Sequence, residues 1–106
     1  MRVNGIISAM LTPLHADETI NESELRNQVN RQIKAEAAAV FCLGTNGEFY
    51  AFDSEEKKKI IDIVVDETNG RVPVLAGTGC VTTRETIELT RYAKKAGVSA
   101  VSVIAP

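Results

Sequence analysis

The residues best suited to chemistry sit in one loop. Gly44-Thr45-Asn46-Gly47-Glu48 groups a hydroxyl, a carboxamide and a carboxylate around two glycines. Glycines let a backbone turn sharply and approach a ligand closely. Amides freed by such a turn can hold an anionic carboxylate. The Thr45 hydroxyl could relay a proton, while Glu48 reads chiefly as a carboxylate that orders the loop. The loop follows the apolar run Val40-Phe41-Cys42-Leu43 and precedes a helix start at Asp53-Ser54-Glu55-Glu56. A buried strand therefore delivers polar groups to one end of a sheet, the end where ligands bind in parallel α/β folds. The plainer alternative is an exposed turn that is polar because it is wet.

Other candidates are weaker. Gly77-Thr78-Gly79-Cys80 resembles the start of a dinucleotide fingerprint, but Thr82 stands where the third glycine belongs, so an ordinary strand-to-helix turn is favoured over a small nucleotide binder. The one histidine, His15, cannot build a metal site alone and reads as a loop residue. Cys42 and Cys80 fit neither a disulfide framework nor a zinc spacing, which points to a reduced, cytoplasmic protein, and no metal or cofactor is expected. Cys42 lies inside an apolar run, where a free thiol packs as a small hydrophobe. The net charge of −2 gives no reason to expect nucleic acid. Lys57-Lys58-Lys59 follows Glu55-Glu56 and reads as a solvated helix face. No apolar run is long enough to cross a bilayer, and Met1-Arg2-Val3-Asn4-Gly5 leads straight into a strand-like segment rather than a signal peptide.

The elements that must position the loop follow from pattern. Gly5 to Leu11 is a first strand, closed by Thr12-Pro13. Asn21 caps a helix, with Glu24 completing a capping box and Leu25, Val29 and Ile33 forming its apolar stripe. That helix runs to Lys34 or Glu36, and its end offers no glycine for a left-handed terminus. A second strand spans Ala38 to Leu43. Asp53 caps the next helix, whose apolar face is Ile60, Ile61, Val64 and Val65, with Lys57, Lys58 and Asp62 turned outward; Asn69-Gly70 ends it. Val72 to Ala76 is a third strand. Thr82 and Glu85 open a third helix that buries Ile87, Leu89, Thr90, Ala93 and Ala96 and ends at Gly97. Ser99 to Ile104 is a fourth strand.

This βαβαβαβ order, with a strand roughly every 30 residues, implies an α/β fold with a parallel sheet and right-handed crossovers. An open doubly wound sheet and a closed (β/α)8 barrel share the order. A whole barrel takes about 250 residues, so four strands supply half of one. A sheet of four strands without its last covering helix leaves a bare edge and apolar surface. Residues 1–106 therefore read as a single incomplete domain, either part of a larger protein or a non-catalytic half-barrel that self-associates.

Taken together, Ala9-Met10-Leu11-Thr12-Pro13, Gly44-Thr45-Asn46-Gly47-Glu48, Asp53-Ser54-Glu55-Glu56, Val72 to Gly79 and Val103-Ile104-Ala105-Pro106 resemble the dihydrodipicolinate synthase and N-acetylneuraminate lyase family, in order and at family spacing. The resemblance implies a partial TIM (β/α)8 barrel, about its first half. It implies a pyruvate-like keto acid held as a Schiff base, and aldol-type condensation or cleavage. It assigns Gly44, Thr45, Asn46 and Gly47 to substrate binding and Thr45 to a proton relay. Asn46 replaces the family's second threonine, keeping the backbone amide but losing the hydroxyl. Homo-oligomers are implied as well. The family's tyrosine after the strand-four proline and its Schiff-base lysine have no counterpart in these 106 residues. Lys34, Lys57, Lys58, Lys59, Lys94 and Lys95 all fall on helices, so the isolated chain is expected to be inactive.

Overall fold

The computed structural model describes residues 5–44, 51–80 and 82–103. Among them strands and helices alternate: β1 (Ile7–Ala9), α1 (Glu22–Lys34), β2 (Ala39–Cys42), α2 (Ser54–Thr68), β3 (Val74–Gly77), α3 (Thr83–Ala96) and β4 (Ala100–Ser102). All neighbouring strands pair in parallel, in the order β1-β2-β3-β4. That order decides between the two architectures. A doubly wound sheet reverses direction at a switch point so that helices cover both faces. Here each crossover steps the same way, and right-handed crossovers then put every helix on one face. This is how a barrel wall is built.

Burial agrees. Val40, Cys42, Val74 and Ala76 point to the helices and are at most 4% exposed. They pack with Leu25 and Val29 of α1, Ile60, Ile61 and Val64 of α2, and Leu89 and Ala93 of α3. Side chains alternate along a strand, so Ile7, Ala9, Phe41, Leu75, Ala100 and Ser102 face the other way, and all are half-buried or exposed. Ile7 is 45% exposed.

The helix starts form as the sequence indicates. Asn21, Asp53 and Thr82 each accept a hydrogen bond from the backbone N–H three residues on. The reciprocal bond completes the box at Asp53–Glu56, whereas the Glu24 carboxylate lies 2.8 Å from Arg31. The α1 end, without a glycine, is solved by force. Glu36 adopts a left-handed φ of 66°. Its N–H bonds Ile33 O and the Ala37 N–H bonds Gln32 O, a Schellman arrangement.

Two expectations are corrected. Ile87 is 47% exposed rather than buried. The 3.6-residue period that carries Leu89, Thr90 and Ala93 brings Thr86 to the inner side instead. Lys57 is not on the solvated face: it is 4% exposed. Lys58 and Lys59 do reach the surface, Lys58 lying 5.4 Å from the Tyr92 ring centre.

Ion pairs tie α1 to α2. Arg26 contacts Asp66 at 2.7 Å, Glu67 at 3.0 Å and Glu22 at 3.1 Å. These carboxylates, Asp66 foremost, raise the guanidinium above its ordinary pKa. The Glu67 carboxylate is held below its ordinary pKa, first by the Asn30 carboxamide and then by Arg26. Between α2 and α3, the Tyr92 hydroxyl donates to Asp62 at 2.5 Å.

Candidate active site

The carboxyl ends of β2, β3 and β4 lie side by side at one edge of the sheet. Leu43, directly after β2, takes a φ of 58° while being only 8% exposed. A bulky residue in that region is an outlier that packing must enforce. The next strand enforces it: a Cβ built on Gly77 would lie 2.2 Å from the Leu43 carbonyl oxygen. Only a residue without a side chain lets these two strand ends come so close. Gly44 is less tight, its notional Cβ lying 3.0 Å from the Phe41 ring, a side chain that can shift. Across the sheet, Gly77 is in register with Ser102, and the Thr78 N–H donates to Ser102 O at 3.0 Å. Gly77 and Ser102 thus share the bare face at the carboxyl edge, next to Phe41 and Gly44.

Of the expected site residues, Gly44 is placed at this edge. Thr45, Asn46, Gly47 and Glu48 lie outside the described residues, as do Ile104, Ala105 and Pro106. His15 sits in an exposed reverse turn closed by the Leu14–Ile20 bridge. Within that turn the Thr19 hydroxyl and N–H hold the Asp17 carboxyl below its usual range.

The start of α2 is also anchored. The Asp53–Glu56 box starts α2, and the Ser54 hydroxyl donates to Glu85 of α3 at 3.3 Å. One turn in, Lys57 Nζ donates to Gly79 O at 3.3 Å and lies 3.6 Å from Cys80 Sγ. The segment Gly77–Cys80 is therefore packed on both sides. Its Thr78 is fully buried, with the hydroxyl 2.8 Å from that of Thr90. This segment between β3 and α3 touches Leu43 through Gly77 and α2 through Gly79. Sequence reasoning missed Leu43, Gly77 and Lys57 as parts of the edge. Only the glycine carried a signal.

Residues 2–106 match the sequence model of the dihydrodipicolinate synthetase family. The chain belongs to that family. A 4-hydroxy-tetrahydrodipicolinate synthase of Methanopyrus kandleri is 42% identical over 106 residues, which cover 99% of this chain and 35% of the relative. A synthase of the same name from Methanothermobacter thermautotrophicus is 40% identical, covering 100% of this chain and 38% of the relative. The chain thus spans little more than a third of the length of these curated relatives. Among solved structures, the E. coli K12 prophage protein YagE in complex with pyruvate superposes with a TM-score of 0.91 at 39% identity, over 96% of this chain and 34% of that one. N-acetylneuraminate lyase from Fusobacterium nucleatum complexed with pyruvate gives 0.92 at 32% identity, over 98% and 36%. The family resemblance and the partial (β/α)8 barrel read from the sequence are both borne out. Among the described residues, no helix is long and apolar enough to cross a membrane.

Proposed function

We propose that residues 1–106 form a single incomplete barrel domain, the amino-terminal part of a pyruvate-dependent Schiff-base lyase or aldolase. The observation that supports this reading is the carboxyl edge, where Gly77 and a strained Leu43 set the backbone leading into Gly44 in a member of this family. Two relatives solved with pyruvate support a keto-acid ligand.

In the proposed mechanism, backbone amides of Gly44 to Gly47 hold the keto-acid carboxylate. Thr45 relays a proton during carbon–carbon bond making or breaking. Asn46 offers a carboxamide where the family offers a hydroxyl, which alters the polar contacts to substrate. The electrophile is a Schiff base, so neither metal nor cofactor is called for. Its amine must come from a lysine at a strand end. The described lysines lie on helices: Lys34, Lys59, Lys94 and Lys95 are exposed, Lys58 is half-buried, and Lys57 is bonded to Gly79 O. The 106 residues alone are accordingly inactive and need the remaining barrel strands. A cytoplasmic homo-oligomer is the setting we propose.

Borohydride reduction in the presence of pyruvate tests this. The 106-residue chain gains no mass, whereas a longer polypeptide containing it gains one pyruvate-derived adduct on one lysine. A longer polypeptide without an adduct overturns the reading.

The bare sheet face favours a second reading for the isolated chain, a non-catalytic half-barrel that pairs its edges between copies. Ile6 and Val103, beside the two edge strands, are 79% and 53% exposed. Sedimentation decides: a folded monomer rules out self-association.

A further inference from the structure

We propose that Cys80 and Lys57 are the two ends of an oxidation-dependent covalent cross-link, Sγ–O–Nζ, beside the candidate active site. The two side chains come from different elements, and both are buried, Cys80 at 2% and Lys57 at 4% exposure. Their reactive atoms lie 3.6 Å apart. Each is held from behind. Lys57 Nζ donates to Gly79 O at 3.3 Å, and the Cys80 thiol points at Thr78 O at 3.6 Å. The Cys80 N–H donates to Thr86 Oγ1 at 3.0 Å, which fixes the backbone under the sulfur. Amine and thiol are thus pre-positioned, as an intramolecular reaction requires. One inserted oxygen spans more of the gap than a direct sulfur–nitrogen bond would.

The oxidant is hydrogen peroxide. A first molecule converts the thiol to a sulfenic acid: an S–O bond forms, the O–O bond breaks and water leaves. A second oxidises the neighbouring amine onto the sulfenic oxygen: an N–O bond forms, one hydrogen leaves nitrogen and one leaves oxygen, and two waters are released. In sum, thiol, amine and two peroxides give S–O–NH and three waters. Four thiols return the original side chains with release of one water and two disulfides. The linkage would strap the first turn of α2 to the segment after β3. Both lie at the carboxyl edge of the sheet, so oxidation would stiffen that edge. The proposal is independent of the keto-acid reading.

Peroxide treatment of the 106-residue chain tests it, followed by intact-mass and peptide mapping. The expected product is heavier by about 14 Da, one oxygen gained and two hydrogens lost. It joins the Lys57 and Cys80 peptides and reverts with dithiothreitol. Lys57→Arg and Cys80→Ser each abolish it, Cys42→Ser leaves it intact, and urea during oxidation prevents it in the unaltered chain. Products heavier only by about 16 or 32 Da on Cys80, a 14 Da product that persists in Lys57→Arg, or no mass change across a peroxide series each overturn it.

Discussion

The helix layer and the carboxyl edge of the sheet obey different rules. In the helix layer nearly every local preference is met. Caps accept their N–H groups, apolar stripes face the sheet, and Arg26 gathers three carboxylates between α1 and α2. At the edge the preferences are broken. Leu43 holds a left-handed φ, Gly77 admits no side chain, and a lysine is buried under the following turn. Conformations of this sort cost about 1–3 kcal/mol each and persist only where surrounding packing over-determines them. The layer therefore supplies stability, and the edge uses some of it to hold β2 and β3 close together at Leu43 and Gly77.

The sharpest way to break that contrast is Gly77→Ala. A methyl group there meets the Leu43 carbonyl, which is backbone and cannot swing aside. Either β2 and β3 separate at their carboxyl ends or the chain at Leu43 changes conformation. We expect a loss of about 2–3 kcal/mol in urea denaturation, the upper range for overpacking, and altered amide chemical shifts at Leu43 and Gly44. An unchanged midpoint would mean the two strand ends are not pressed together.

The same contrast explains what the sequence could reveal. The element order, the caps at Asn21, Asp53 and Thr82 and the apolar stripe of α1 were legible because each depends on residues three or four apart. Leu43 was not, since its φ is set by Gly77, a residue on another strand. Lys57 was hidden inside what looks like a charge run, and its acceptor, Gly79 O, lies 22 positions away. Ile87 misled because it is apolar while off the buried stripe. Thr45 and Asn46 owe their assignment to family resemblance rather than to any local period, and they remain proposals.

Arg26→Ala probes the layer itself. The side chain is partly exposed, at 29%, so its ion pairs are screened and the expected cost is about 1 kcal/mol, below that at Gly77. Its pH dependence is more telling. Glu67 has a folded-state pKa below its ordinary 4.5. Its contribution is therefore complete above that value and is lost as pH falls through the lowered one. Asn30 is the larger cause and survives the substitution, so the loss on acidification should become shallower without vanishing. A stability–pH curve measured downward from pH 6 checks this, and a slope identical to that of the unaltered chain would remove Arg26 from the account.

The smallest expected effect tests a place where the layer behaves like the edge, since α1 ends at a left-handed Glu36 as α2 ends at a left-handed Asn69. Glu36 ends α1 in a left-handed conformation that costs an L-residue roughly 1–2 kcal/mol. Glycine avoids that cost but gives back part of the gain through its freedom in the unfolded chain. Glu36→Gly should therefore stabilise by about 0.5 kcal/mol, seen as a raised thermal midpoint. A negative charge at a helix carboxyl end is also unfavourable, so charge and conformation must be separated. Glu36→Gln removes the charge and keeps the strain. If glutamine raises the midpoint as much as glycine does, the penalty at Glu36 is electrostatic. The left-handed backbone in the helix layer would then be matched to residues that tolerate it, such as Asn69, and Leu43 would stand apart as the bulky exception.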